Sequence, residues 1–312
     1  MTDTCRLPPP LHRGDALGLF CPAGPPKDPA LLHRGIGLLR DAGFRVHEEG
    51  HIGPRPGEYL ADTDAAWVAA LHRLWENEEI RAVMAVRGGY GCLRLMPLLD
   101  AGLLARHCKW LIGFSDLSLL LNHVSGTAGC VCLHGPMAAS LSRCRPEDRE
   151  QLFAWLAGRI PESVPLPGME ILRDGGPAAS GQGRLVGGNL ATLVHALATP
   201  WDRPFDGCVL FLEDTGEYLY RLDRMLTQLA QAGRLNRLAG LLLGDFDSGA
   251  DDNRTTRLRL QEGLWRRVLE LAPPGFPIWA GLPFGHQGQN MPLPIGMHCR
   301  MDAASGRLLL LP

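Results

Sequence analysis

The sequence predicts an α/β protein in two parts. These are an amino-terminal domain built on a parallel sheet and a smaller, β-rich α+β carboxy-terminal domain. Three observations carry that prediction. Through the first half, short apolar runs alternate with segments of helical period, as βαβ units require. A Pro- and Gly-rich stretch at 158–182 breaks the rhythm and reads as a linker. Beyond it, strands and helices alternate less cleanly, and the chain closes on a hairpin pattern. The expected organisation is therefore 1–157, a linker over 158–182, and 183–312.

Taken in order, ALGLFCPAG (16–24) is a strand entering a Pro/Gly loop, and PALLHRGIGLLRDA (29–42) has helical spacing with Gly43 as its C-cap. FRVHEEG (44–50) is a second strand. Asp62 or Thr63 can cap a helix over 65–79, and IRAVMAV (80–86) is a third strand. After a Gly-rich turn, 92–100 is helical, KWLIGF (109–114) is the fourth strand, and GCVCLHG (129–135) is the fifth, with a helix from Ser115 between them. Such a series makes the first domain a flavodoxin-like or Rossmann-like sandwich. In the second part, 183–202 reads as a turn and a helix, 207–214 and 238–246 as strands, 218–233 and 256–271 as helices, and the tail as a hairpin.

Composition excludes some functions. A formal net charge of −2 leaves no positive field for nucleic acid or an anionic membrane. No apolar run approaches the ~20 residues that span a bilayer. The start, MTDTCRLPPPLHRGD, lacks the apolar centre of a secretory signal. The nine cysteines are scattered without a CxxC pair, so no zinc ribbon or redox motif is expected. Most lie in apolar contexts, which suits a reducing, cytoplasmic compartment.

Several stretches could carry chemistry. In LIGFSDLS (111–118), Ser115 follows a strand and opens a helix. By itself it fits a helix cap better than the alternative, a nucleophile at a strand-to-helix corner, since GxSxG is not satisfied. VRGGYGC (86–92) also follows a strand, and Gly88, Gly89 and Gly91 let backbone amides converge on an oxyanion. A nucleophilic serine needs a base and an acid to orient it. The base candidates are His286, in the loop LPFGHQGQNMPLPIG (282–296), and His134 in CLHGP. The acid candidates are Glu213, Asp214 and Glu217 in FLEDTGEYLYRLDR (211–224). Asn189 in LVGGNLATL fits a helix cap or a substrate contact, and Arg87 fits a carboxylate contact or a surface ion pair.

Together these stretches resemble the LD-carboxypeptidase family, which also includes microcin-C immunity peptidases. The markers run nearly the whole length: CPAG at 21–24, RGGYG at 87–91, GFSDLS at 113–118, HGPM at 134–137, GGNL at 187–190, LEDTGEYLYRLDRML at 212–226 and GLPFGHQGQN at 281–290. The resemblance implies a cytoplasmic serine peptidase, needing no metal or cofactor, that acts as a homodimer in peptidoglycan recycling. Its substrate would be murein tetrapeptide or sugar-linked forms of it, from which it releases the terminal D-alanine. Carried over residue by residue, Ser115 is the nucleophile, His286 the general base and Glu217 the residue orienting the imidazole. The amides of Gly89 and Asp116 form the oxyanion hole, and Arg87, Tyr90 and Asn189 contact substrate. The alternatives are a related peptidase acting on microcin-like aminoacyl-nucleotide conjugates and a non-catalytic binding module. The short loop GDFDSGADDNRTTR (244–257), with Phe246 as its one aromatic, argues against the nucleotide conjugate.

Overall fold

In a computed structural model of the protein, the described residues are 5–53, 58–176, 181–249 and 254–311. Residues 1–4 of the amino-terminal stretch and 250–253 of the 244–257 loop lie outside them. Two compact units divide the chain: Met1–Ile160 with Asn290–Gly296, and Pro161–Gln289 with Met297–Pro312.

The first unit runs β1 (Ala16–Phe20), α1 (Pro29–Asp41), β2 (Arg45–Glu48), α2 (Asp64–Glu76), β3 (Ile80–Ala85), α3 (Cys92–Leu95), α4 (Ala101–Arg106), β4 (Trp110–Gly113), α5 (Ser118–Ala128), β5 (Cys132–His134) and α6 (Pro146–Leu156). Local chemistry explains the starts. The Asp28 carboxylate accepts the Ala30 amide at 2.9 Å ahead of Pro29, and Thr63 Oγ1 accepts the Ala66 amide at 3.3 Å. Pro97 lets the helix opened at Cys92 pass into a 3₁₀ turn, Met96–Leu98, so the expected 92–100 helix is short. Lys109, 7% exposed, donates to the carbonyls of Leu74 and Asn77 at 3.1 and 2.6 Å and so ties the end of α2 to the start of β4.

The second unit runs β6 (Ser163–Pro165), β7 (Glu170–Arg173), β8 (Gln182–Asn189), α7 (Leu190–His195), β9 (Cys208–Asp214), α8 (Leu219–Gln231), β10 (Gly240–Phe246), α9 (Arg254–Leu271) and β11 (Ile278–Ala280). The chain then adds β12 (Leu293–Ile295) to the first unit and ends in the hairpin β13 (His298–Asp302) and β14 (Arg307–Leu311).

The first sheet has the order β12-β5-β4-β3-β1-β2, parallel except for β12, which runs antiparallel to β5 with Leu293 level with His134. Its five parallel strands follow the flavodoxin-like order 2-1-3-4-5, with the order reversing between β1 and β3. The second sheet is β6-β14-β13-β8-β9-β10-β11-β7. Its centre, β8 to β11, is parallel and joined by α7, α8 and α9; antiparallel strands flank it on both sides. The core of this unit packs Leu210, Leu212, Leu241 and Leu243 of the strands against Leu222, Leu226, Leu229, Leu260 and Leu264 of the helices.

Three further sequence expectations change. Residues 163–165 and 170–173, read as linker, form edge strands of the second sheet, so the division between the units falls at 160/161. Residues 183–189, read as a turn, are the body of β8. The glycines there serve close approach rather than a turn: a Cβ on Gly187, whose φ is +137°, would collide with the Phe211 carbonyl of β9. Residues 293–295 supply a strand where a polar loop was expected, and Pro294 is tolerated because that strand is an edge.

Candidate active site

In the first unit the candidate groups cluster at the carboxyl ends of β3 and β4, the edge of a parallel sheet where ligands bind. Ser115 follows β4 and starts a 3₁₀ turn, Ser115–Leu117, that leads into α5. Its φ is +63°, one of two positive values among the described non-glycine residues. An L-residue held there costs about 1–2 kcal/mol, and such strain concentrates at functional corners. The neighbouring turn is built against it: a Cβ on Gly88 would lie 3.0 Å from Ser115 Cβ and 3.1 Å from its Oγ. Gly89 and Gly91 have φ of +137° and +153°, which lets the turn double back beneath an exposed Tyr90.

Asp116 has a side-chain role that the sequence reading did not foresee. Its Oδ2 accepts the Cys92 amide at 2.9 Å, which locks the serine corner to the helix that closes the Gly-rich turn. Arg87 does not stand open to solvent: its Nη1 donates to the Pro25 carbonyl at 3.1 Å and binds the β1 loop to the β3 loop. Cys21 shapes the same loop, donating to the Gly24 carbonyl at 3.3 Å, and burial pushes its thiol up to about 12. Tyr90 lies 6.2 Å from Tyr59, ring centre to ring centre; the two are 50% and 62% exposed. His134, the other candidate base, is fully buried in β5 with its ring edge-on to Phe114 at 5.8 Å, and so reads as a core histidine.

In the second unit His286 Nδ1 meets Glu213 Oε2 at 2.7 Å. The carboxylate belongs to Glu213 and not, as expected, to Glu217. The reason lies in the sheet. Glu213 is the penultimate residue of β9, fully buried, and β10 lies alongside it in parallel. The Asp245 amide donates to the Phe284 carbonyl at 2.9 Å, which registers the 284–286 loop on the end of β10. Gly285 makes that approach possible, since a Cβ there would lie 2.9 Å from Asp245 Cβ. Glu217 sits beyond the strand end, where its Oε2 lies 3.6 Å from Arg221 Nη1, one helical turn on.

Negative charge surrounds the imidazole. Burial opposes protonation of His286, but the charge and hydrogen bond of Glu213, helped by Asp214 and Asp247, outweigh it and raise its pKa above the ordinary 6.5. Burial, then the neighbouring Glu213, pushes Asp214 up to about 7. Asp245 rises to about 6, with burial the main cause. Asn189 is 5% exposed; its Oδ1 accepts the Thr192 amide at 3.0 Å, and its Nδ2 donates to Asp214 Oδ1 at 2.8 Å. Its side chain caps α7 and ties that helix start to the acidic cluster. Among the described residues no group of three or more His, Cys, Asp or Glu is arranged to hold a metal ion, and no helix is long and apolar enough to cross a membrane.

A strained serine corner facing glycines, and an imidazole on a buried carboxylate, are the parts of acyl-transfer chemistry. Comparison with known proteins agrees with the motifs. The LD-carboxypeptidase N-terminal domain matches residues 17–135, and the LD-carboxypeptidase C-terminal domain matches residues 182–301. The murein tetrapeptide carboxypeptidase of Pseudomonas aeruginosa is 33% identical over 285 residues, covering 85% of this chain and 86% of its own. The crystal structure of a muramoyltetrapeptide carboxypeptidase from Oxalobacter formigenes matches with a TM-score of 0.73 at 26% identity, covering 95% of this chain and 97% of that one. An MccF-like protein from Bacillus anthracis shares the fold, with a TM-score of 0.83 at 21% identity over 98% of this chain and 99% of its own. Two matched domains, in order and together covering most of its length, make this chain a member of the LD-carboxypeptidase family.

Proposed function

We propose that the protein is a serine LD-carboxypeptidase that releases the terminal D-alanine from murein tetrapeptides. The observation that carries this reading is the 2.7 Å bond between His286 Nδ1 and the buried Glu213 carboxylate. It fixes the tautomer that leaves Nε2 as the base and stabilises the imidazolium that forms. In the reaction His286 takes the proton of Ser115 as its Oγ attacks the peptide carbonyl. His286 then returns the proton to the leaving D-alanine amine. Water releases the acyl group from Ser115 by the same proton transfers in reverse. The amides of Gly89 and Asp116 are assigned to the oxyanion, each donor contributing ~10²–10³ in rate.

Murein peptide is the preferred substrate class because the aromatic that a nucleotide platform would need on the 244–257 loop is absent. Phe246 is 2% exposed and packed into the core. The nine cysteines are free thiols, which fits action in a reducing compartment such as the cytoplasm. Cleavage of murein tetrapeptide and of an aminoacyl-nucleotide conjugate, measured on wild type, Ser115→Ala and His286→Ala, tests the reading. Release of D-alanine by wild type alone is expected. Near-normal activity in either variant rejects the assigned chemistry, and turnover of the conjugate alone rejects the substrate.

A further inference from the structure

Four cysteines gather at the amino-terminal ends of β4 and β5, the sheet edge opposite Ser115: Cys5, Cys108, Cys130 and Cys132. Ile112 is level with Leu133, and Gly113 with His134. Toward the strand starts Cys130 has Arg6 as its parallel bridge partner, so Cys108 and Cys130 meet around Arg6.

Side-chain placement agrees. Cys108 Sγ donates to the Arg6 carbonyl at 3.6 Å. Arg6 is bridged to Cys130, its amide donating to the Gly129 carbonyl at 2.7 Å and its carbonyl accepting the Val131 amide at 2.9 Å. Cys130 Sγ lies 4.0 Å from Arg6 Nη2 and 4.0 Å from the His107 carbonyl. Both thiols therefore lie against Arg6, Cys108 on its carbonyl and Cys130 beside its guanidinium. Cys130 is fully buried, but Cys108 is half-buried on the wall of a cavity of about 290 Å³. Arg81, Arg106 and Lys109 share that wall.

The chemistry of the pair is asymmetric. The hydrogen bond from Cys130 outweighs burial and, with the charge of Arg6, holds the Cys108 thiol below its ordinary value. The bond to Cys108, then burial, raises Cys130. Burial likewise raises Cys21, Cys92, Cys132, Cys144, Cys208 and Cys299.

We propose that Cys108 and Cys130 are an oxidisable dithiol, Cys108 reacting with hydroperoxide from the cavity and Cys130 resolving the product as a disulfide. The Cys108 thiolate attacks a peroxide oxygen; the S–O bond forms, the O–O bond breaks, and the leaving hydroxide takes a proton and departs as water. The Cys130 sulfur then attacks the Cys108 sulfur; the S–S bond forms, the S–O bond breaks, and the hydroxyl leaves with the Cys130 proton as a second water. Two thiols and one hydrogen peroxide thus become one disulfide and two waters.

The test uses reduced full-length protein treated with stoichiometric hydrogen peroxide, quenched with an alkylating reagent under denaturing conditions and mapped by mass spectrometry. The expected product is a Cys108–Cys130 crosslinked peptide pair, formed before any other cysteine is oxidised. In Cys130→Ala the expected product is a Cys108 sulfenic acid captured by a dimedone-type probe. In Cys108→Ser, oxidation of Cys130 slows by about tenfold or more, since its raised pKa leaves little thiolate. A wild-type crosslink between Cys108 and Cys5, or oxidation of Cys5 ahead of Cys108, overturns the proposal, and neither reading depends on how a variant folds.

Discussion

In the first unit the candidate nucleophile is held by its backbone; in the second the candidate base is held by charge. Ser115 takes a φ of +63° at the end of β4, with Gly88 cleared away to admit it. His286 instead leans on Glu213 among carboxylates whose protons are tightly held, Asp214 near pH 7 and Asp245 near pH 6. A strand-to-helix corner is a local feature, so it shows in a handful of consecutive residues. A buried charge pair is assembled from β9 and a loop 73 residues away, and no local pattern names both members.

The sharpest way to break that contrast is to exchange the two glutamates. Glu213→Gln keeps the size but loses the charge on His286, and kcat/KM for murein tetrapeptide is expected to fall about 10³–10⁴-fold. Glu217→Gln loses a partly exposed ion pair with Arg221 and is expected to change kcat/KM by no more than about threefold. Steady-state kinetics on both variants decides; equal losses would mean that charge at His286 is not what positions the base.

The two Gly-Gly motifs test the backbone side. Gly187→Ala forces a Cβ into the Phe211 carbonyl at a positive φ, and is expected to destabilise the protein by about 3 kcal/mol or more, read by denaturant unfolding. Gly88→Ala meets the movable Ser115 side chain at 3.0 Å, so it is expected to leave stability within about 1 kcal/mol of wild type and lower kcat about tenfold or more by displacing Oγ. The reverse assignment of effects would show that the Gly-rich turn is merely a connection.

The pH profile refines the charge side. His286 has a raised folded-state pKa, so its protonated form stabilises the fold at pH below 6.5, and that gain is lost as pH rises through the folded value. The base works only when neutral, so the acid limb of kcat/KM is expected above pH 6.5 in wild type. It is expected to move downward in Glu213→Gln, where burial is less strongly opposed. A limb unmoved by that change would assign the titration to another group.

The smallest expected effect concerns Ser115 itself. Ser115→Gly relieves the strained φ, and after the entropy cost of glycine the gain is expected to be about 0.5–1 kcal/mol in unfolding free energy. Ser115→Ala relieves nothing and is expected to leave stability unchanged. Paired denaturant titrations separate the two, and equal stabilities would show that the corner is not strained.

The sequence by itself determined the parallel first sheet, the terminal hairpin, the serine corner and the histidine loop. Each rests on periodicity, caps or turn residues within about a dozen consecutive positions. It also named Glu213 among three nearby carboxylates, but the family resemblance placed the orienting role on Glu217, whereas Glu213 is the one on His286. A sharper signal was present in the all-apolar run before Glu213, since a carboxylate ending a buried strand must find a partner. Tertiary structure alone decided that choice, because strand pairing buries one glutamate beside His286 and leaves the other beside Arg221. The same cause moved residues 163–165 and 170–173 from linker to the two sheet edges and turned the Gly187-Gly188 step into a strand. Edge pairing and close backbone approach are relations between distant segments, and they exist only once the sheet has formed.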